Sequence, residues 1–331
     1  MLKVHTHGLD PADDRGTTAA TLKPPGPEGW IDLLDPTEDE IRAVEAATGL
    51  DLPNKEQLSE VEASSRLRRV GQALFISVPV IFRGDAGPAR ITPVGFIVSA
   101  EHFVTVRFEK LKAFESCRER VGRAEISHPS PMSTFLALLE AIVDRLADIL
   151  EEVGADLDKV AEEVFGKDLD DKPTRRPKAT DLKLRYVLRR VGRARQLASK
   201  VRATLLAIGR IVPYVESEAE EWMPGEARPR LETVRRDVDS LDEYEIHLSD
   251  KVQFLLDADL GLISIEQNDR FRILTVVSII GIPPTFFASM YGMNFKTMPE
   301  LDWQYGYPYA LALLLASAII PVVWFRFKGW L

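Results

Sequence analysis

The chain has 331 residues, 45% of them hydrophobic, with 51 acidic against 42 basic residues and a formal net charge of −9. That length supports one sizeable soluble core with sequence to spare, and the acidic balance disfavours a nucleic-acid partner while suiting a surface that collects cations. The only cysteine, Cys117, excludes an intrachain disulfide.

Residues 1–28, rich in Gly, Pro, Asp and Thr, are expected to form a flexible lead-in. They contain no apolar h-region, so no cleaved signal peptide is expected. His5 and His7 resemble a metal pair, but in a loose segment such a pair carries little meaning. Gly29-Trp30-Ile31-Asp32-Leu33 is predicted as a short strand. A helix opens at Pro36, with Thr37 as its N-cap and Glu40 completing a capping box. Ala73 to Phe82 and Ile91 to Arg107, rich in Val, Ile and Phe, are predicted as two or three strands. The order strand, helix, strands, helix predicts a soluble α/β domain over residues 29–125.

Helical periodicity takes over at residue 126. Pro131 to Phe165 places Phe135, Leu138, Ile142, Leu146, Ile149 and Val153 on one face, with acids opposite. Asp168 to Pro177 breaks that helix. A second long helix starts at Thr180-Asp181, so residues 126–225 are expected to form two antiparallel helices. The arginines at 189, 190, 193 and 195 are placed to pair with acids of the preceding helix, and Glu216 to Glu221 reads as a solvated charge run. Beyond Pro229 no proline occurs until Pro283. Apolar residues from Leu231 to Leu262 hold one heptad frame, which also carries Glu245, Asp259, Glu266 and Asp269, so the seam degrades along its length. A helix over that stretch would be roughly 80 Å long, too long to bury both faces in a small domain.

Ile273 to Phe295 and Trp303 to Phe325 contain no charged residue. Each is long enough to cross a bilayer, since about 20 apolar residues span roughly 30 Å of hydrocarbon. The expected layout is a stalk helix over 226–270, a first span over 271–291, an outer loop over 292–306, a second span over 307–326 and a basic tail over 327–331. Arg270 and Arg272 precede the first span, and Arg326 and Lys328 follow the second. The positive-inside rule therefore puts both termini in the cytoplasm of a cell inner (plasma) membrane protein.

One stripe of the stalk and first span is polar in an unusual way. Asp257, Gly261, Ser264, Asn268, Phe271, Thr275, Ser278 and Ile282 follow at steps of three or four and share a face. Such a pattern fits a wet channel with apolar constrictions. It also fits close helix–helix contact through small residues, and periodicity alone leaves both open. No P-loop and no Gly-Xaa-Ser-Xaa-Gly context is present, and His102, His128 and His247 show no ligand spacing, so the chain does not read as an enzyme.

Tyr291-Gly292-Met293-Asn294-Phe295, followed by Met298-Pro299-Glu300-Leu301 and Gly306-Tyr307-Pro308, resembles the signature of the CorA family of divalent-cation channels. The likeness is strongest over residues 255–331. Weaker echoes occur at Ile31-Asp32 and in Glu60-Val61-Glu62-Ala63-Ser64-Ser65-Arg66. It implies an α+β membrane protein whose soluble α/β domain leads, through a stalk helix, into the first of two C-terminal spans. It also implies a homopentamer in the lipid bilayer, with the first spans lining the pore. The implied activity is influx of Mg2+, with Co2+ and Ni2+ as lesser substrates and no organic cofactor.

Within that resemblance Gly292, Met293 and Asn294 are the selectivity filter. Asn carbonyls can accept hydrogen bonds from the water shell that Mg2+ holds reluctantly. Phe271 and Ile282 match apolar gate positions, Asp257 matches an acidic position at the inner entrance, and Asn268 is a second candidate ring. Glu300 and Asp302 would concentrate cations at the outer mouth, and Lys296 opposes them. Relatives close when cytosolic Mg2+ bridges acids of neighbouring protomers. Here those positions carry Gln57 and Thr233, which leaves Glu56, Glu60, Glu62 and Glu232 as nearby candidates for a regulatory metal site. A Zn2+ transporter of the related ZntB branch, with proton coupling, is the alternative, and a scaffold without transport is the third reading.

Overall fold

The computed structural model describes residues 1–6, 26, 29–60, 62, 66–84, 87–126, 128–165, 181–294, 298–299 and 303–330, without the side chains of 181–184. The chain divides into two units, one of Met1–Lys172 with Val187–Leu255 and the other of Pro173–Tyr186 with Leu256–Leu331.

The first unit is built on a six-stranded mixed sheet in the order β1-β2-β6-β5-β4-β3. The strands are β1 Leu2–Thr6, β2 Gly29–Leu34, β3 Leu67–Val70, β4 Ala73–Phe82, β5 Arg90–Val98 and β6 Phe103–Arg107. Only β2 and β6 pair in parallel. Strand β1 corrects the expected lead-in: Leu2 to Thr6 add an antiparallel edge to β2, with Leu2 opposite Leu33 and His5 opposite Trp30. His5 is buried, its ring centroid 4.9 Å from that of Trp30, so it is an edge packing residue rather than half of a metal pair. His7 lies outside the described residues.

One face of the sheet buries Ile31, Leu33, Phe75, Ile97, Val104 and Val106 beneath α1 (Glu38–Thr48) and α2 (Lys55–Leu58), through Val44, Leu52 and Leu58. Helix α1 begins with the predicted capping box. Thr37 Oγ1 accepts from the Glu40 amide, and Glu40 Oε2 accepts from the Thr37 amide. Glu40 also accepts from the amino terminus and from the Leu2 amide, which ties β1 to α1. These hydrogen bonds and that positive charge hold its carboxyl below the usual range against the opposing effect of burial.

The opposite face packs Trp30, Phe96, Phe103, Phe114 and Phe135 in tilted and edge-on contacts beneath α3 (Lys112–Gly122) and α4 (Pro131–Phe165). A buried polar chain crosses this face. Trp30 Nε1 donates to Thr105 Oγ1 (2.9 Å), and Thr105 Oγ1 donates to Asp32 Oδ1 (2.8 Å). Arg107 then clamps both oxygens of Asp32 through Nε and Nη2 (3.0 and 2.7 Å). Cys117 is fully buried below α3, and burial pushes its thiol up to about 12.

Helix α4 keeps the predicted bounds and buries its apolar face along its whole length. Helix α5 (Asp181–Glu218) and the first part of α6 (Ala227–Tyr291) complete the soluble unit. As expected, an arginine of α5 meets acids of α4: Arg190 contacts Asp156 and Glu163 at 2.6 and 2.7 Å. Arg230 of α6 reaches Glu140 of α4 at 2.8 Å, and Lys251 of α6 pairs with Asp158 of α4. Phe165 stacks on Phe254.

Helix α6 continues into the second unit as one 65-residue rod, about 100 Å long at 1.5 Å per residue. Pro283 and Pro284 lie inside it. Each lacks the N–H that would bond to the carbonyl four residues back, a loss tolerated where the apolar surroundings leave the remaining ladder no competitor. Helix α7 (Gly306–Phe327) is 22 residues, about 33 Å, a match to the hydrocarbon thickness of a bilayer. Both α6 and α7 are long and apolar enough to cross a membrane.

Candidate functional site: an exposed polar stripe and its outer end

The stripe predicted on α6 lies within the second unit, in a stretch of helix that is exposed over most of its surface. Asp257, Gly261, Ser264, Asn268, Phe271, Thr275 and Ile282 are exposed, and Ser278 is half-buried. Phe271 and Ile282 are 60% and 64% exposed, whereas Val276, between them in sequence but on the other face, is 5% exposed. Large apolar side chains at such exposure on a helix of this length face something other than the chain's own core. Thr275 Oγ1 donates back to the Phe271 carbonyl at 2.8 Å, so this hydroxyl is satisfied along the helix while its oxygen stays on the stripe.

On the far side of the same helix the charged members of the heptad seam behave differently. Glu245, in the first unit, is buried, accepting from Ser249 Oγ at 2.8 Å and from Arg202 at 3.3 Å. Asp259, in the second unit, is 1% exposed, and neither of its carboxylate oxygens has a hydrogen-bond partner among the described residues. Burial raises its pKa above the usual carboxylate value. Glu266 and Asp269 pair with Arg270 and Arg272 at 2.8 and 3.4 Å.

At the C-terminal end of α6 the backbone closes within a turn. The Gly292 amide donates to the Ala288 carbonyl at 3.0 Å, and the Met293 amide donates to the Met290 carbonyl at 3.4 Å. A Cβ on Gly292 would sit 3.2 Å from the Ala288 oxygen, so the tight turn favours glycine there. Met293 and Asn294 follow, both exposed. Lys296, Glu300 and Asp302 lie outside the described residues.

Aromatic residues flank α7 at both ends. Trp303 packs against Tyr305 and Tyr309 before it, at 6.2 and 5.7 Å between centroids. After it Gly329, at φ 68°, turns the chain back so that the Trp330 amide donates to the Phe325 carbonyl (3.0 Å) and the two rings stack. Lys328 lies over Trp324. Aromatic rings with a cation at one end are the usual occupants of the two bilayer interfaces.

The four acids named for a regulatory metal all belong to the first unit. Glu56 lies in α2, Glu60 and Glu62 follow it, and all three are exposed. Glu232 lies on α6 and is 3.9 Å from Arg235. Among the described residues no three His, Cys, Asp or Glu side chains converge as a metal site within the single chain. The cavity beside Glu60 was not anticipated: Glu60 and Arg66 bound a stretch singled out only for its family likeness, and Arg68 carried no motif.

A soluble α/β unit, a helix leading from it into an apolar span, and Gly-Met-Asn where that span ends together define a membrane transport protein. Residues 29–327 match the family described as CorA-like Mg2+ transporter protein, and the chain belongs to that family, whose members are transporters and not enzymes. It is 32% identical over 302 residues to the Magnesium transport protein CorA of Haemophilus ducreyi, covering 91% of this chain and 92% of that protein. The Magnesium transport protein CorA of Escherichia coli is 30% identical over 306 residues, covering 91% and 92%. Among solved structures, the complete CorA magnesium transporter from Methanocaldococcus jannaschii matches with a TM-score of 0.75 at 18% identity, covering 100% of this chain and 99% of that one. The cytoplasmic domain of ZntB from Vibrio parahaemolyticus matches with a TM-score of 0.52 at 11% identity, covering 81% and 97%. Identities at this level carry the fold alone.

Proposed function

We propose that this protein is a passive channel for Mg2+ influx, with Co2+ and Ni2+ as lesser substrates, assembled as a homopentamer around the stripe of α6. The observation that carries the proposal is the stripe itself, a run of polar residues sharing one helix face with the exposed Phe271 and Ile282, with Asn294 at its outer end. Copies of the same helix meeting around an axis would turn that face inward and line a wet path. Relatives that are 30–32% identical over about nine-tenths of both chains (91% of this chain and 92% of theirs) are named magnesium transport proteins, which supports the choice of ion.

In this reading Gly292, Met293 and Asn294 form the filter. Asn amide oxygens accept hydrogen bonds from the water shell of the ion without stripping it, and their neutrality avoids a trap. Glu300 and Asp302 raise the local cation concentration, and Asp257, Ser264 and Asn268 receive the ion at the inner end. Phe271 and Ile282 form apolar rings that close the path by dewetting. Both termini face the cytoplasm of the inner membrane. No energy source beyond the membrane potential is needed, since a divalent ion moving inward gains about 4.6 kcal/mol per 100 mV, inside negative. Cytosolic Mg2+ held by acids among Glu56, Glu60, Glu62 and Glu232 of adjacent protomers would favour the closed state, and its loss would leave carboxylates repelling one another.

Flux measured in proteoliposomes of the purified protein tests this. Mg2+ uptake driven by an inside-negative potential is expected, unaffected by a pH gradient. Zn2+ uptake that follows the pH gradient would favour the ZntB-type alternative instead. Asn294→Ala is expected to leave the assembly intact and to lower Mg2+ uptake by about tenfold or more, a rise of at least about 1.4 kcal/mol in the barrier. Unchanged uptake by that variant would refute the filter assignment, and an absence of any divalent flux in the parent would leave only a scaffold.

A further inference from the structure

Beside α2, at the β3–β4 edge of the sheet, the soluble unit holds a cavity of about 300 Å³ lined by Gln57, Glu60, Arg66, Arg68, Phe75 and Ser77, among others. Its shape follows from local structure. Leu58 of α2 presses onto Gly95, where a Cβ would lie 2.8 Å from Leu58 Cδ2, and Ser77 Oγ donates to the Leu58 carbonyl at 2.8 Å. Those contacts hold α2 against β4 and β5. The short strand β3, which pairs only with β4, leaves the space beside them open.

The lining offers more donors than acceptors. Arg68 stands opposite Phe75 in the β3–β4 register and rests on its ring at 5.3 Å. Arg66 donates through Nε to the Glu60 backbone carbonyl at 2.8 Å, which fixes its stem. Neither guanidinium forms an ion pair with any described residue, unlike Arg69 next door, which meets Glu218 and Glu221. Gln57 uses its carbonyl oxygen to cap α2, accepting from the Asn54 amide at 2.9 Å, so its NH2 faces outward as a donor. Glu60 is the one carboxylate in the lining.

We propose that this cavity binds a small phosphate-bearing anion. Two guanidiniums and an amide NH2 offer the forked donors that a phosphate's several oxygens accept. The volume exceeds that of a lone inorganic phosphate and falls at the small end of ligand pockets, so a diphosphate or a phosphate ester fills it. A divalent cation does not suit it, because two fixed positive charges oppose one carboxylate. The site lies apart from the proposed ion path and does not depend on that path, but it includes Glu60 and so competes with the assignment of that carboxylate to a regulatory metal.

Isothermal titration of the full-length protein in detergent, with inorganic pyrophosphate and with ATP, each in the presence of a chelator, tests the assignment. Saturable binding with Kd below about 1 mM is expected. It should weaken by about tenfold in Arg68→Gln and weaken further with added salt. Glu60→Gln should bind about threefold more tightly, because the repelling carboxylate is gone; a merely structural disturbance would not strengthen binding. ATP binding more tightly than pyrophosphate identifies a nucleotide as the natural source, and equal binding identifies a free diphosphate. No saturable binding of either probe overturns the proposal, as does binding that is unchanged in both Arg68→Gln and Glu60→Gln.

Discussion

Removing Asp32 should do more damage to the soluble unit than removing most apolar side chains of similar size. Its carboxylate is 2% exposed and Arg107 is 8% exposed, so the pair is out of water. Asp32 accepts from Thr105 and, on both oxygens, from Arg107, while Arg107 Nη1 donates to the Glu109 carbonyl and the guanidinium lies over Phe114 at 4.6 Å. Asp32→Ala leaves Arg107 charged and buried with only that carbonyl and the ring face as partners. Breaking a buried pair from one side costs about 3–5 kcal/mol. At roughly 2–4 °C per kcal/mol for a unit of this size, the midpoint of thermal unfolding should drop by about 10 °C. Fluorescence of the purified protein, followed against temperature, is a suitable assay, since Trp30 donates into the same chain of hydrogen bonds. The double variant Asp32→Leu with Arg107→Met should recover most of the loss, because apolar replacement of both partners of a buried pair is often near neutral. A drop of only a degree or two in Asp32→Ala, or a double variant no better than the single one, would show that the pair is not the closed, desolvated unit described above.

Two further outcomes are expected. Asp259→Asn should stabilise the protein at neutral pH, because the neutral amide avoids the cost of holding a charge out of water. Because burial raises the pKa of Asp259, the cost of ionising it is fully present above that raised value and is relieved as pH falls through it toward the ordinary carboxylate range. The advantage of the variant, read as an unfolding midpoint across a pH series, should therefore shrink on acidification, and an advantage that grows toward low pH would contradict the assignment. Phe271→Ala, which removes an exposed ring from the proposed gate, should raise resting Mg2+ leak in proteoliposomes by about tenfold; tighter closure would count against gating by dewetting.

Features carried by local sequence were legible before any coordinates. The Thr37–Glu40 capping box needs only residues three apart, and Pro131–Phe165 announces itself by helical periodicity between breaks. The two apolar spans follow from run length and the stripe from spacing, so the membrane part and its motif were the easiest to read. Features made by distant residues were not legible. The LKVHT segment becomes an edge strand because β2 offers it a partner more than twenty residues away, and nothing within those five residues distinguishes it from a loose terminus. The Asp32–Arg107 clamp joins positions 75 apart in the chain.

The amino-acid order alone thus determined the helices, the spans, the polar face and the family signature, because each rests on periodicity or on contacts within a few residues. Only the tertiary structure decided which charges would be paired and which left over. It seals Asp32 against Arg107, strands Asp259 without a donor, and leaves Arg66 and Arg68 facing a cavity with no carboxylate bound to them. Desolvation and pairing depend on what the folded chain brings from far away, and no local pattern encodes that.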